Sequence, residues 1–195
     1  MATNPTRTTD RLADPSRRRF FRGRVSNKQI IRLPWTINEA VFRSGCTQCQ
    51  DCINSCETNI IVKDEDGLPT VDFNLGECTF CNKCIDACEQ PLFSGAFPRT
   101  GELKDNNNTP EATLAENNKA WPGIFTINDK CLAKNNIYCQ SCRDECETNA
   151  IKFNYINTSI PEPSLNESDC TQCGACVKSC PQEAITFTFD IAKNQ

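Results

Sequence analysis

Sixteen cysteines in a chain of 195 residues fall into four groups of four, and none stands outside them. The first group is Cys46-x2-Cys49-x2-Cys52-x3-Cys56 and the second is Cys78-x2-Cys81-x2-Cys84-x3-Cys88. The last is Cys170-x2-Cys173-x2-Cys176-x3-Cys180, with Pro181 next. Between them, Cys131-x7-Cys139-x2-Cys142-x3-Cys146 keeps the last two gaps and lengthens the first. The chain has no histidine. That excludes zinc sites built on imidazole, c-type haem attachment through C-x-x-C-H, and any serine or cysteine nucleophile activated by histidine.

So many thiols are either disulfides or metal ligands, and the redox compartment decides between them. The first 24 residues are polar and basic, without the apolar run of a secretory leader. Ser16-Arg17-Arg18-Arg19-Phe20-Phe21-Arg22 looks like a twin-arginine export signal. Gly23, Arg24, Ser26, Asn27 and Lys28 follow, however, where such a signal needs apolar residues. No apolar run is long enough to span a membrane. The expected location is cytoplasmic, where clustered cysteines mean metal.

C-x2-C-x2-C-x3-C followed by proline is the bacterial ferredoxin run for a [4Fe–4S] cluster. A cubane offers four irons, each wanting one thiolate. A short turn with ligands at i, i+3 and i+6 wraps three corners, and a more distant cysteine reaches the fourth. In two-cluster ferredoxins the fourth cysteine of each run serves the other cluster. Four clusters with crossed ligands are therefore expected. Cys46, Cys49 and Cys52 go with Cys88, and Cys78, Cys81 and Cys84 with Cys56. Cys131, Cys139 and Cys142 go with Cys180, and Cys170, Cys173 and Cys176 with Cys146. The seven-residue gap after Cys131 needs a loop that bulges out before the turn begins; if that run failed, three clusters would remain. Structural zinc needs only two C-x-x-C pairs and leaves the other thiols of each run without a role.

The groups repeat. Cys49, Cys52 and Cys56 recur 90 residues on, and the second group recurs 92 residues on as the last. Cys56-Glu57-Thr58-Asn59-Ile60-Ile61 matches Cys146-Glu147-Thr148-Asn149-Ala150-Ile151. The expected fold is α+β: two tandem ferredoxin-like modules of two clusters each, with short strands and helices, after a basic N-terminal arm. The boundaries are 1–40 for the arm, 41–98 for the first module, 99–120 for a linker and 121–195 for the second module. Residues 60–63 and 70–73 read as strands joined through Asp66-Gly67 as a hairpin. Residues 124–128 and 185–189 read as a strand pair closing the second module. Short helices are expected at 82–88 and 174–180. The linker, rich in Asn, Thr, Glu and Pro, reads as an exposed connection. Leu, Ile, Val and Phe together are about a fifth of the chain, a thin core for this length, so inorganic clusters are expected to hold the fold.

Charge is divided. Residues 1–45 carry ten Lys or Arg and three Asp or Glu, whereas the remaining 150 carry 11 and 22. Each oxidised cluster with four thiolates would add roughly −2 to that acidic body. The basic residues Arg17, Arg18, Arg19, Arg22 and Arg24 either lie against the body or dock a partner. Nucleic acid is not expected, because the acidic body repels phosphate. No G-x-G-x-x-G is present for a flavin or nicotinamide, and no catalytic base or substrate pocket can be argued, so the chain is not expected to be an enzyme.

These residues resemble the NapF family of ferredoxin-type accessory proteins of periplasmic nitrate reductase systems. The resemblance covers nearly the whole chain. It rests on Arg17-Arg18-Arg19-Phe20-Phe21-Arg22-Gly23, on Arg32-Leu33-Pro34-Trp35 and on Gly76-Glu77-Cys78-Thr79-Phe80-Cys81. It rests also on Cys139-Gln140-Ser141-Cys142-Arg143-Asp144-Glu145-Cys146 with Cys131 set back. It implies a cytoplasmic iron–sulfur protein that contacts the catalytic subunit, a molybdoenzyme, before its export and helps load or mature its [4Fe–4S] centre. The alternative is a general electron carrier between redox partners. One departure is that Glu57, Glu89 and Glu147 stand where ferredoxin modules commonly have proline, so looser, more acidic turns are expected there.

Overall fold

The computed structural model describes residues 29–94, 119–155 and 159–189. The arginines at 17, 18, 19, 22 and 24 and residues 99–118 of the expected linker lie outside the described residues. Chain order gives helix α1 (Glu39–Gly45), helix α2 (Asp51–Asn54), strands β1 (Ile61–Lys63) and β2 (Pro69–Val71), and helix α3 (Lys83–Asp86). The second half continues with β3 (Gly123–Ile127), a 3-10 turn (Ala133–Asn135), α4 (Ser141–Asp144), β4 (Ile151–Asn154), β5 (Glu162–Leu165), α5 (Ala175–Ser179) and β6 (Ile185–Phe189). Apart from α1, the helices are single turns of four or five residues. Helices this short are not stable alone and depend on their surroundings.

Among the described residues the strands form three antiparallel pairs: β1 with β2, β4 with β5, and β3 with β6. The duplication is visible in this order. The β1–β2 hairpin corresponds to β4–β5, each pair lying between two single-turn helices. The β3–β6 pair, with Gly123 opposite Phe189 and Ile127 opposite Ile185, closes the second half. In the first half that closure shrinks to one bridge, Thr36 with Phe93.

The hairpin expected through Asp66-Gly67 is present, and Asp64 explains its closure. Its Oδ1 accepts the amides of Asp66 and Leu68, both at 2.9 Å, while Gly67 takes the left-handed backbone at φ 82°. The pair expected at 124–128 and 185–189 is present as well. The β4–β5 pair was not expected: Pro163 interrupts the strand signal, yet it sits opposite Phe153 in this two-stranded sheet, where a missing amide can be tolerated.

Residues at the edges of the expected arm and linker are packed into the body. The arm was expected to run to residue 40, but Ile31, Arg32, Leu33 and Trp35 are buried. Backbone bonds hold them there: the Val71 amide donates to the Ile31 carbonyl at 2.7 Å. Arg32 lies over the Phe42 ring, donates twice to Glu39 at 2.7 Å, and pairs with Asp64 at 2.8 Å. Burial opposes its charge, but these partners outweigh it and hold the guanidinium above its ordinary value. The end of the expected linker is packed as well. Ala120 is buried, and its carbonyl accepts the Trp35 amide at 2.8 Å.

The two halves share one core. Phe73 of the first half packs edge-on against Trp121 and Phe125 of the second, with centroids 5.3 and 5.4 Å apart. Phe80 meets Trp35 and Trp121, and the Trp121 indole N–H donates to the Arg32 carbonyl at 2.8 Å. Aromatic pairs of this kind contribute about 0.5–1.5 kcal/mol each beyond the area they bury.

Gly174 is the closest point of approach. It has φ 85°, and a Cβ there would lie 2.0 Å from Cδ1 of Phe73. Gly174→Ala should therefore lower stability by about 1–3 kcal/mol from backbone strain alone, with a further packing cost. Denaturant unfolding of the cluster-loaded chain measures this. Adding Phe73→Leu should recover the packing part only. An unchanged midpoint for Gly174→Ala would contradict the close approach.

Candidate metal centres

Four cavities each bring together one set of four cysteines, and Cys78 also borders the last of them. One is lined by Cys46, Cys49, Cys52 and Cys88, and another by Cys56, Cys78, Cys81 and Cys84. A third is lined by Cys131, Cys139, Cys142 and Cys180, and the last by Cys146, Cys170, Cys173 and Cys176. The structure thus brings the first three thiols of each run together with the fourth of its partner run, and Cys131 stands with its group. Cys52 and Cys142 are buried, Cys49 is exposed, and the rest are partly buried.

The backbone reason lies beside the second cysteine of each run. Gln48 and Gln50, Phe80 and Asn82, and Gln172 and Gly174 all have positive φ. A left-handed residue on each side of the cysteine curls the chain so that successive thiols face one point. Asparagine and glycine tolerate this conformation most readily, and Asn82 and Gly174 stand at the matching position. The Cys131 run uses another device. Its extra residues close on themselves through the 3-10 turn and a left-handed Asn136. The Asn135 side-chain amide donates to the carbonyls of Asp129 at 2.7 Å and Cys131 at 2.8 Å. The Ile137 backbone amide returns to the Leu132 carbonyl at 2.9 Å. This compact loop is the bulge that the longer gap required.

Three residues after the fourth cysteine, Asn59, Asn149 and Glu183 are again left-handed. In the second half that turn aims the next amide at sulfur: Ala150 donates to Cys146 at 3.3 Å and Ala184 to Cys180 at 3.2 Å. At Cys88 the third residue on is Pro91, and the Leu92 amide bonds to the Gln90 carbonyl instead. The glutamates in the proline positions do not all loosen their turns. Glu57 accepts from the Thr79 hydroxyl at 2.9 Å and from the Lys83 ammonium, and so clasps one run to the next. These bonds, that of Lys83 first, draw its carboxyl below the ordinary range.

The thiol environments fit an iron–sulfur core. Burial first, then neighbouring cysteines, pushes Cys52 up to about 11 and Cys84, Cys142 and Cys176 up to about 12. Burial also pushes Cys78 up to about 12, against the Phe80 amide. Four thiolates do not gather in such a pocket unaided; bound cations supply the missing positive charge and deprotonate the ligands. At Cys56 burial is outweighed by the Thr58 hydroxyl and by the amides of Ile60, Thr58 and Ile61, and the thiol falls below its usual value. Among the described residues no three His, Cys, Asp or Glu side chains converge closely enough for a single metal ion. The thiols line cavities in sets of four, one for each iron of a cubane.

Sequence reasoning missed the residues that seat these loops. Gln172, buried between Cys170 and Cys173, accepts the Trp121 amide at 3.2 Å and donates to the carbonyls of Trp121 and Gly123. Phe80 and Phe73 fix the loops from the aromatic side. Only the small or amide residues beside the cysteines carried a local signal for this.

Comparison with known proteins agrees with this chemistry. A family model described as a 4Fe-4S dicluster domain matches residues 45–92, and one described as a 4Fe-4S binding domain matches residues 163–186. The chain is 40% identical over 190 residues to the ferredoxin-type protein NapF of Haemophilus influenzae, covering 92% of this chain and 96% of that one. It is 41% identical over 179 residues to the protein of the same name from Escherichia coli K12, covering 90% and 96%. No solved structure matches. The chain carries [4Fe–4S] clusters. Among the described residues no helix is long and apolar enough to cross a membrane.

Cys131 offers the sharpest test of the thiol quartets. Cys131→Ala should lower iron content by about one to four atoms per chain, out of four per cluster, and alter the reduced EPR spectrum. Unchanged iron and an unchanged spectrum would remove Cys131 from the site.

Proposed function

The chain belongs to the NapF family of ferredoxin-type proteins, and from that premise we propose that it is a cytoplasmic accessory factor for a periplasmic nitrate reductase. It would engage the precursor of the catalytic subunit, a molybdoenzyme, and help mature the precursor's own [4Fe–4S] centre before export. The observation that carries this reading is the set of four cysteine-lined cavities in a chain matching its NapF relatives over about nine-tenths of its length. In this reading each cavity holds one cluster on its crossed set of four thiols. The clusters, when bound, supply single electrons and are a reservoir of iron and sulfide.

The protein's own residues do the rest. The left-handed residues beside the second cysteines orient the thiols, and the amides of Ala150 and Ala184 stabilise negative charge on sulfur. Arg17, Arg18, Arg19, Arg22 and Arg24 are the proposed partner contact, since a basic segment on an acidic body steers toward acidic surface. The chain itself performs no catalytic step. A second reading, electron carriage between redox partners, is favoured by one observation: the Cys78 and Cys170 cavities share the lining residues Cys78, Thr79 and Phe80.

Capture of the precursor on the cluster-loaded chain tests the first reading. Binding is expected, and charge reversal at Arg17, Arg18 and Arg19 should weaken it by about tenfold or more. The precursor made without this chain should contain less iron. Failure to bind, together with unchanged iron in the precursor, would refute the accessory role and leave the carrier reading.

A further inference from the structure

In sequence the four quartets begin at Cys46, Cys78, Cys131 and Cys170. In space the order is different. The Cys78-Thr79-Phe80 segment lines two cavities at once, that of its own quartet and that of the Cys170 quartet in the other half. The Cys78 amide donates to the Cys173 carbonyl at 2.8 Å, joining the ligand loops of the two halves directly. Within each half the crossed cysteines join the pair: Cys88 of the second run lines the Cys46 cavity and Cys56 of the first lines the Cys78 cavity, and Cys180 and Cys146 do the same in the second half.

We infer that the four sites form one electron path ordered Cys46 quartet, Cys78 quartet, Cys170 quartet, Cys131 quartet, with the crossing between halves made at Cys78 and Cys173. The second half is thus traversed against its sequence order, and the two quartets that face each other are those begun by Cys78 and Cys170. An electron crossing there leaves one site oxidised by one unit and the other reduced by one, and no atom or proton moves. The ends of the path are the Cys46 quartet, where Cys49 is exposed, and the Cys131 quartet, where Tyr138 beside Cys139 is 67% exposed.

Rigid seating makes the crossing a built feature. Gln172 pins the Cys170–Cys173 loop to Trp121 and Gly123. Trp121 is tied in turn to the first half through the Arg32 carbonyl. Phe73 against Gly174 leaves no space for even a methyl group between the halves. Phe80 packs toward Trp121 at the same seam.

This inference rests on the proposed ligand sets, and its test separates the two. One full-length variant replaces Cys46, Cys49, Cys131 and Cys139 with alanine and keeps the Cys78 and Cys170 quartets. A second replaces Cys78, Cys81, Cys170 and Cys173 and keeps the other two. Each should hold about eight irons, four per cluster; retention of the full iron content in either would overturn the ligand sets themselves. After reduction with dithionite as the one-electron donor, the first variant should show an EPR spectrum split by interaction between two neighbouring clusters. The second should show two isolated signals. Isolated signals in the first, or interaction in the second, would overturn the order.

Should either variant fail to fold, Trp121→Ala with Gln172→Ala decides the matter while keeping every cysteine. With iron content unchanged, its fully reduced spectrum should move toward the sum of two separate cluster pairs. A spectrum identical to that of the parent chain would overturn the crossing.

Discussion

Everything in this fold depends on gathering four thiolates into one desolvated pocket. Burial raises the thiols of Cys78, Cys84, Cys142 and Cys176 to about 12, and neighbouring sulfurs add to its opposition to ionisation. A pocket of that kind is stable only around a core that returns positive charge. Iron–thiolate bonds at these sites would add to what aliphatic packing supplies in larger domains, which suits a chain with so few branched aliphatic residues. The single-turn helices follow from the same constraint, since each spans a ligand and has little stability of its own.

The second organising element is aromatic. Trp35, Phe73, Phe80, Trp121, Phe125 and Phe187 gather at the seam between the halves. Through it the duplicated halves become one body rather than two ferredoxins on a tether. The tryptophans also carry polar ties, from the Trp121 indole to the Arg32 carbonyl and from the Trp35 amide to the Ala120 carbonyl. Those bonds explain why Ala120 and the stretch around Arg32 belong to the core.

Much of the site was legible in the cysteine spacing, because ligand spacing is a local geometric requirement that leaves a local trace. The grouping of Cys88 with the first run and Cys180 with the Cys131 run is what the two-cluster ferredoxin pattern implies, and the cavities bring together those same thiols. Asp66-Gly67 announced its hairpin because a left-handed turn needs glycine. Other features left no such trace. The burial of Ile31 to Trp35 was masked by flanking arginines, one of which, Arg32, is itself buried against Glu39 and Asp64. Pro163 hid β5, since a proline speaks against a strand unless the sheet has only two. The meeting of Cys78 with Cys173 is tertiary, set by aromatic packing between segments far apart in the chain, and no periodicity in either segment encodes it.

Iron and acid-labile sulfide, counted per chain after anaerobic purification, test the thiol quartets most directly. Four cubanes require about sixteen of each. Zinc without sulfide, or iron well below that level in a fully folded chain, would contradict four cluster sites built on these sixteen cysteines.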